Sequence, residues 1–148
     1  VAKTIEKAKG IVDDKYIALV EKGLAKVDEL VNMMATQLMN KKIGQVLANA
    51  TPFQQAMHMM VMAWLHLESL TITLPKSKEL MGDLKGEQRA KRLEEDDEAA
   101  YYSGRVLSSQ FYIASEFPKF FGKAECMTMN DPAPLYASQA IFTGSLKE

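Results

Sequence analysis

From Asp13 onward, apolar side chains recur at steps of three and four: Ile17, Val20, Leu24, Val27, Val31, Met34 and Leu38. That spacing holds one face of a 3.6-residue helix apolar and would scatter over both faces of a strand. Lys15, Glu21, Lys22, Lys26, Asp28 and Glu29 fall largely between these positions and predict a solvated opposite face. A helix with such a stripe is stable only when another element covers it, so the chain must supply partner stripes of the same period.

Two more follow. Gly44 and Asn49 weaken the first helix, and Thr51, Pro52 and Gln54 read as the N-cap, N1 and N3 positions of a new one. Its stripe is Phe53, Met57, Met60, Trp64, Leu67, Thr71 and Leu74, with Met59, Met62 and Leu70 adding a second apolar face. A helix apolar on two faces belongs in the middle of a bundle. Pro75 is expected to end it, and Lys76 to Gly86, with glycines at 82 and 86, to form a surface connection. After the polar, helix-prone residues 87–92, the acidic run Glu94 to Glu98 reads as a solvated helix turn. The third stripe is Ala99, Tyr102, Val106, Ser109, Ile113, Phe117, Phe120, Ala124 and Met127, with Pro118 inside it predicting a bend near residues 114–118. Asn130-Asp131-Pro132 reads as a turn, and Leu135, Tyr136, Ile141 and Phe142 as a short helix or ordered tail laid over the bundle. The fold class predicted is all-α: an antiparallel up-and-down bundle of three long helices plus a short fourth element, one domain over residues 1–148.

Bulk properties exclude several function classes. At 148 residues, 47% hydrophobic and 25% charged, the chain can bury a core and lies outside the disordered range. Eighteen basic residues against 19 acidic ones give a formal charge of −1, so no global field favours nucleic acid or anionic lipid. The single thiol, Cys126, cannot form an internal disulfide and suits a reducing, cytoplasmic setting. Val1 to Lys9 lacks the apolar core of a signal peptide, and a chain opening on Val1 without Met reads as a piece of a larger protein. The most apolar run, Ala56 to Leu67, is too short and too polar at its ends to span a membrane.

Chemistry-bearing motifs are sparse. The chain has no Gly-x-Gly-x-x-Gly, P-loop or Gly-x-Ser-x-Gly, and no Glu stands three residues before either histidine, as a di-metal carboxylate bundle needs. His58 and His66 lie two helical turns apart, too far to ligate one ion together, so each is expected to meet a carbonyl, hydroxyl or solvent at the bundle edge. Glu68, two positions from His66, points elsewhere on a helix. The ten methionines and Trp64 read as core filling before they read as a binding groove. No catalytic, cofactor-binding or metal-ligating residue is assigned.

Two stretches carry a family resemblance: Ala50-Thr51-Pro52-Phe53-Gln54 running on into Met62-Ala63-Trp64-Leu65-His66-Leu67-Glu68, and Tyr101 to Tyr112 continuing through Phe117-Pro118-Lys119. Together they resemble the acetyl-CoA-dehydrogenase-like C-terminal domain of large acyl-CoA dehydrogenases, the group that includes 3-methylmercaptopropionyl-CoA dehydrogenase, over roughly Val12 to Met129. The resemblance implies a parent that oxidises an acyl-CoA to the 2,3-enoyl-CoA with FAD, and a fragment that itself holds no cofactor. The implied partners are the preceding catalytic domains and a second subunit, and Phe120 and Phe121 are expected to anchor that contact. The alternatives are a free-standing helical interaction module that binds an apolar partner and, more weakly, a small metal- or cofactor-binding bundle.

Overall fold

In the computed structural model, which describes residues 1–144, the first stripe forms α2 (Asp14–Met39). Asp13 caps it, its side chain accepting a hydrogen bond from the Lys15 amide at 3.0 Å. The face it buries is centred on Val20, Gly23, Val27 and Leu30 and reaches Gln37. Val31 and Leu38, at 46% and 57% exposure, lie off that face, so the buried face departs from the expected stripe at the C-terminal end of the helix. Gly23 and Gln37, neither of them apolar markers, hold the inner positions instead.

The second long helix, α3 (Ile43–Met81), runs 39 residues, about 58 Å at 1.5 Å per residue. It starts eight residues before Thr51 and passes through both Pro52 and Pro75, contrary to the expected restart and stop. Each proline removes one backbone donor and crowds the carbonyl a turn earlier. The buried ladder of Ala56, Met60, Ala63, Leu67 and Leu70 outweighs that loss, and Pro75 is solvent-exposed, where water can take the freed carbonyl. The helix ends at Gly82, whose φ of +50° lies in the region that favours glycine.

α4 (Gly86–Glu95) buries no residue, and α5 (Asp97–Phe111) begins at once after it. Asp96 separates the two and accepts from the Ala99 amide at 3.0 Å. The acidic run therefore straddles a helix junction, and apart from half-buried Asp96 it is exposed, as its charge pattern predicts. Beyond α5 the chain continues as a π-helical turn over Tyr112–Glu116 and then as α6 (Lys119–Met129). The Phe117 amide donates to the Tyr112 carbonyl at 2.8 Å, a bond spanning five residues. This wide turn is the form the expected bend takes: it seats the ring of Pro118, which has no amide to give to Ala114.

Two terminal segments differ from expectation. Ala2–Ala8 forms α1, which buries Ile5 and Ala8 on the flank of α3, and the Trp64 Nε1 donates to Thr4 Oγ1 at 2.7 Å. The tail forms a 3-10 turn over Ala133–Tyr136 and a short α7 (Gln139–Thr143), touching α3 mainly where Leu135 rests on Gly44. Ile141 and Phe142 are 65% and 76% exposed, so the tail does not lie over the bundle. The helices α2, α3 and α5 to α6 form the expected antiparallel three-helix frame, with no strand among the described residues. The short fourth element is α1, at the opposite end of the chain from the one anticipated.

Candidate functional site

The π turn aims Tyr112 at α3, where its ring stacks on His66 with centroids 4.6 Å apart and planes at 22°. One turn earlier on α5, Ser109 places its Oγ 3.1 Å from His66 Nδ1. The Tyr112 hydroxyl donates to the Met59 carbonyl at 3.5 Å, across the same seam. Burial, and then the charge of Arg105, lower the His66 pKa, so the imidazole is neutral at pH 7. Burial and the nearby Glu116 carboxylate raise that of Tyr112. Farther along, Arg105 donates to Ser69 Oγ at 3.4 Å and the Ser77 and Ser103 hydroxyls meet at 3.3 Å, so this seam between α3 and α5 is closed by hydroxyls.

A hydroxyl beside an imidazole is the arrangement that activates a nucleophile, but that chemistry needs access and an orienting group. Ser109 has no exposed surface. Glu68, the nearest carboxylate in sequence to His66, faces α1 and bonds Lys7 at 2.9 Å. The cluster therefore ties the π turn to α3. His66 meets a hydroxyl, as expected for a histidine at the bundle edge, whereas His58 stands exposed on the same helix. The partnership of Ser109 with His66 was missed in the sequence, although a serine on an otherwise apolar stripe must find a hydrogen-bond partner when buried.

The other singled-out residues divide by exposure. Met60 and Met127 are core, Met57, Met59, Met33 and Met34 pack partly against it, and Met39 and Met129 are over 70% exposed. Trp64 is half-buried against α1 rather than central. Phe117 and Phe120 are wholly buried and stack at 5.3 Å between centroids, with Phe121 edge-on to both and Lys22 over its outer face. Phe120 is thus a core residue and not the docking anchor expected of it.

Two of the open grooves along α2 lie beside a neighbouring helix. One, about 620 Å³, lies against α1 and sets Glu6, Glu21 and Asp28 against a single Lys3. The other, about 410 Å³, lies against α6, where Lys26 is already paired with Glu29 at 2.9 Å and Lys22 with Phe121. Three carboxylates against one ammonium repel a dinucleotide's pyrophosphate, and the second groove has its cations engaged, so these residues do not fit FAD. Among the described residues no three His, Cys, Asp or Glu side chains stand together as a metal site, and no helix is long and apolar enough to cross a membrane.

Fold and surface together define an all-α bundle domain in which buried Thr4, Ser103 and Ser109 tie helices to one another. The family described as "Acetyl-CoA dehydrogenase C-terminal like" matches residues 1–136, and the chain belongs to it. No curated protein and no solved structure matches the chain.

Proposed function

We propose that this chain is the helical accessory domain of an acyl-CoA dehydrogenase, one folding unit over residues 1–148, whose preceding domains oxidise an acyl-CoA to the 2,3-enoyl-CoA with FAD in the cytoplasm. It contributes surface and no reacting group, helping to hold those domains and a second subunit together. Membership of the family supports the parentage. The observation that carries the role is the set of large apolar side chains left uncovered on the long helices: Leu65, Ile72, Leu107 and Phe111 are 48% to 65% exposed. Soluble proteins rarely leave such surface bare without a partner for it. The experiment is to read the coding frame directly upstream of the Val1 codon and to purify its product. An in-phase flavoprotein with a yellow chromophore is expected. A stop codon immediately upstream would instead establish a free-standing interaction module.

A further inference from the structure

Between Ala99 and Ser115 the chain carries one charge, Arg105, and that side chain reaches back to Ser69 on α3. α5 buries Ser103, Val106 and Ser109 against α3. Away from that face lie Ala100, Gly104, Leu107 and Phe111, at steps of four, three and four. Leu107 is 65% and Phe111 60% exposed, and a Cβ added at Gly104 would meet nothing within 4 Å. A heptad stripe bare of charge is the surface of a helix that a second helix covers. Among the described residues the tail does not cover it, since its turn rests on Gly44 at the far end of α3.

The sizes along the stripe identify the occupant. Its first half is small, Ala100 and Gly104, and its second half large, Leu107 and Phe111. We propose that α5 pairs with α5 of a second copy of this chain, antiparallel about a two-fold axis lying between Gly104 and Leu107. Phe111 then meets Ala100 of the other copy, and Leu107 meets Gly104, so each layer sets a large side chain into a space left by a small one. A parallel pairing would stack Phe111 on Phe111 and leave two glycines facing across a gap. No like charges are brought together, because the stripe has none. The contact runs from Ala100 to Phe111, about 16 Å of helix, and buries less than the roughly 1,200 Å² of a standard interface, so free chains associate weakly.

The pairing belongs to this chain whatever precedes it, so its test does not depend on the parent enzyme. Sedimentation velocity of the whole chain from about 10 µM to about 1 mM should show a growing dimer, and Leu107→Asp should weaken association at least ~10-fold. Both Leu107 and Gly104 face solvent, and unchanged circular dichroism will show that the variants fold. Orientation is read in a Cys126→Ser background by mild oxidation. Gly104→Cys mixed with Leu107→Cys should cross-link at least ~10-fold faster than either variant alone, because only the mixed pair reaches disulfide distance. A chain that stays monomeric to about 1 mM overturns the proposal. So does a Leu107→Asp variant that associates unchanged, or a Leu107→Cys variant that links to itself faster than to Gly104→Cys.

Discussion

Gly23 sits midway along α2 with no side chain, and the core has closed over it. A Cβ placed there would stand 3.0 Å from Phe117 Cε1, nearer still to Cζ, and 3.1 Å from Met60 Sδ. Phe117 is completely buried between Phe120 and Phe121, so its ring cannot swing aside without moving them. Replacing a mid-helix glycine by alanine ordinarily stabilises a helix by about 0.5–1 kcal/mol. Overpacking a closed core costs about 1–3 kcal/mol, and here it acts against that gain. The net expectation for Gly23→Ala is a loss of about 1–2 kcal/mol, or roughly 2–8 °C in Tm for a chain of this size. Gly122→Ala in α6 is the control, since a Cβ there meets nothing within 4 Å and should stabilise by about 0.5–1 kcal/mol. Both are read by urea or guanidinium denaturation followed at the helical circular-dichroism band. If Gly23→Ala proves as stabilising as Gly122→Ala, the close approach of α2 to the π turn is wrong.

Other perturbations test separate joints. Trp64→Phe keeps most of the ring but removes the donor to the Thr4 hydroxyl, and should cost about 1 kcal/mol; a double-mutant cycle with Thr4→Val should be non-additive, and additive losses would mean that the bond is not made. Phe120→Asp puts a carboxylate into the closed core and should cost about 4 kcal/mol or more, so a folded, merely dissociated variant would contradict its burial. The lowered pKa of His66 means that the folded state binds fewer protons than the unfolded one below its ordinary value of 6.5. Stability should therefore be complete above that value and fall as pH drops from it towards the folded pKa, and His66→Gln should flatten this part of the profile. The lowered carboxyl groups of Asp13, Glu68 and Asp96 act in a different window, below 4.5, so an unchanged slope between pH 7 and 5 in His66→Gln would refute the assignment.

The long helices were legible because burial on one face imposes the 3.6-residue period, and Ile17, Val20, Met60, Leu67, Ile113 and Phe117 all lie where that period puts them. Their ends were less legible. Thr51-Pro52 has the local chemistry of a helix start, yet the tertiary packing of Ala56 and Met60 carries α3 through it. Pro75 likewise failed as a stop because an exposed helix face tolerates a missing bond. α1 escaped notice because seven residues show too few turns for a period, and its stability comes from Trp64 and Glu68 some sixty residues away. The tail's apolar content predicts a covering role but says nothing of where the segment docks. The site is silent for a different reason. Ser109 and His66 carry the residue types of a reaction centre, but Ser109 has no exposed surface and its bond to His66 joins α5 to α3.

That the domain supplies surface and no reacting group is tested most directly on the acyl-CoA dehydrogenase proposed to carry it. The intact enzyme and a form ending just before Val1 would be compared for acyl-CoA oxidation per bound flavin, alongside oligomeric state and rate of thermal inactivation. The boundary matters, because a cut at Val12 would leave α1 behind without the core it packs on. The expected result is faster inactivation and weaker assembly, with turnover per flavin preserved within about threefold. Removing a group that acts on the transition state costs about 10²–10³ in rate. A truncated enzyme that stays assembled and flavin-loaded while its turnover falls by that factor would contradict the claim.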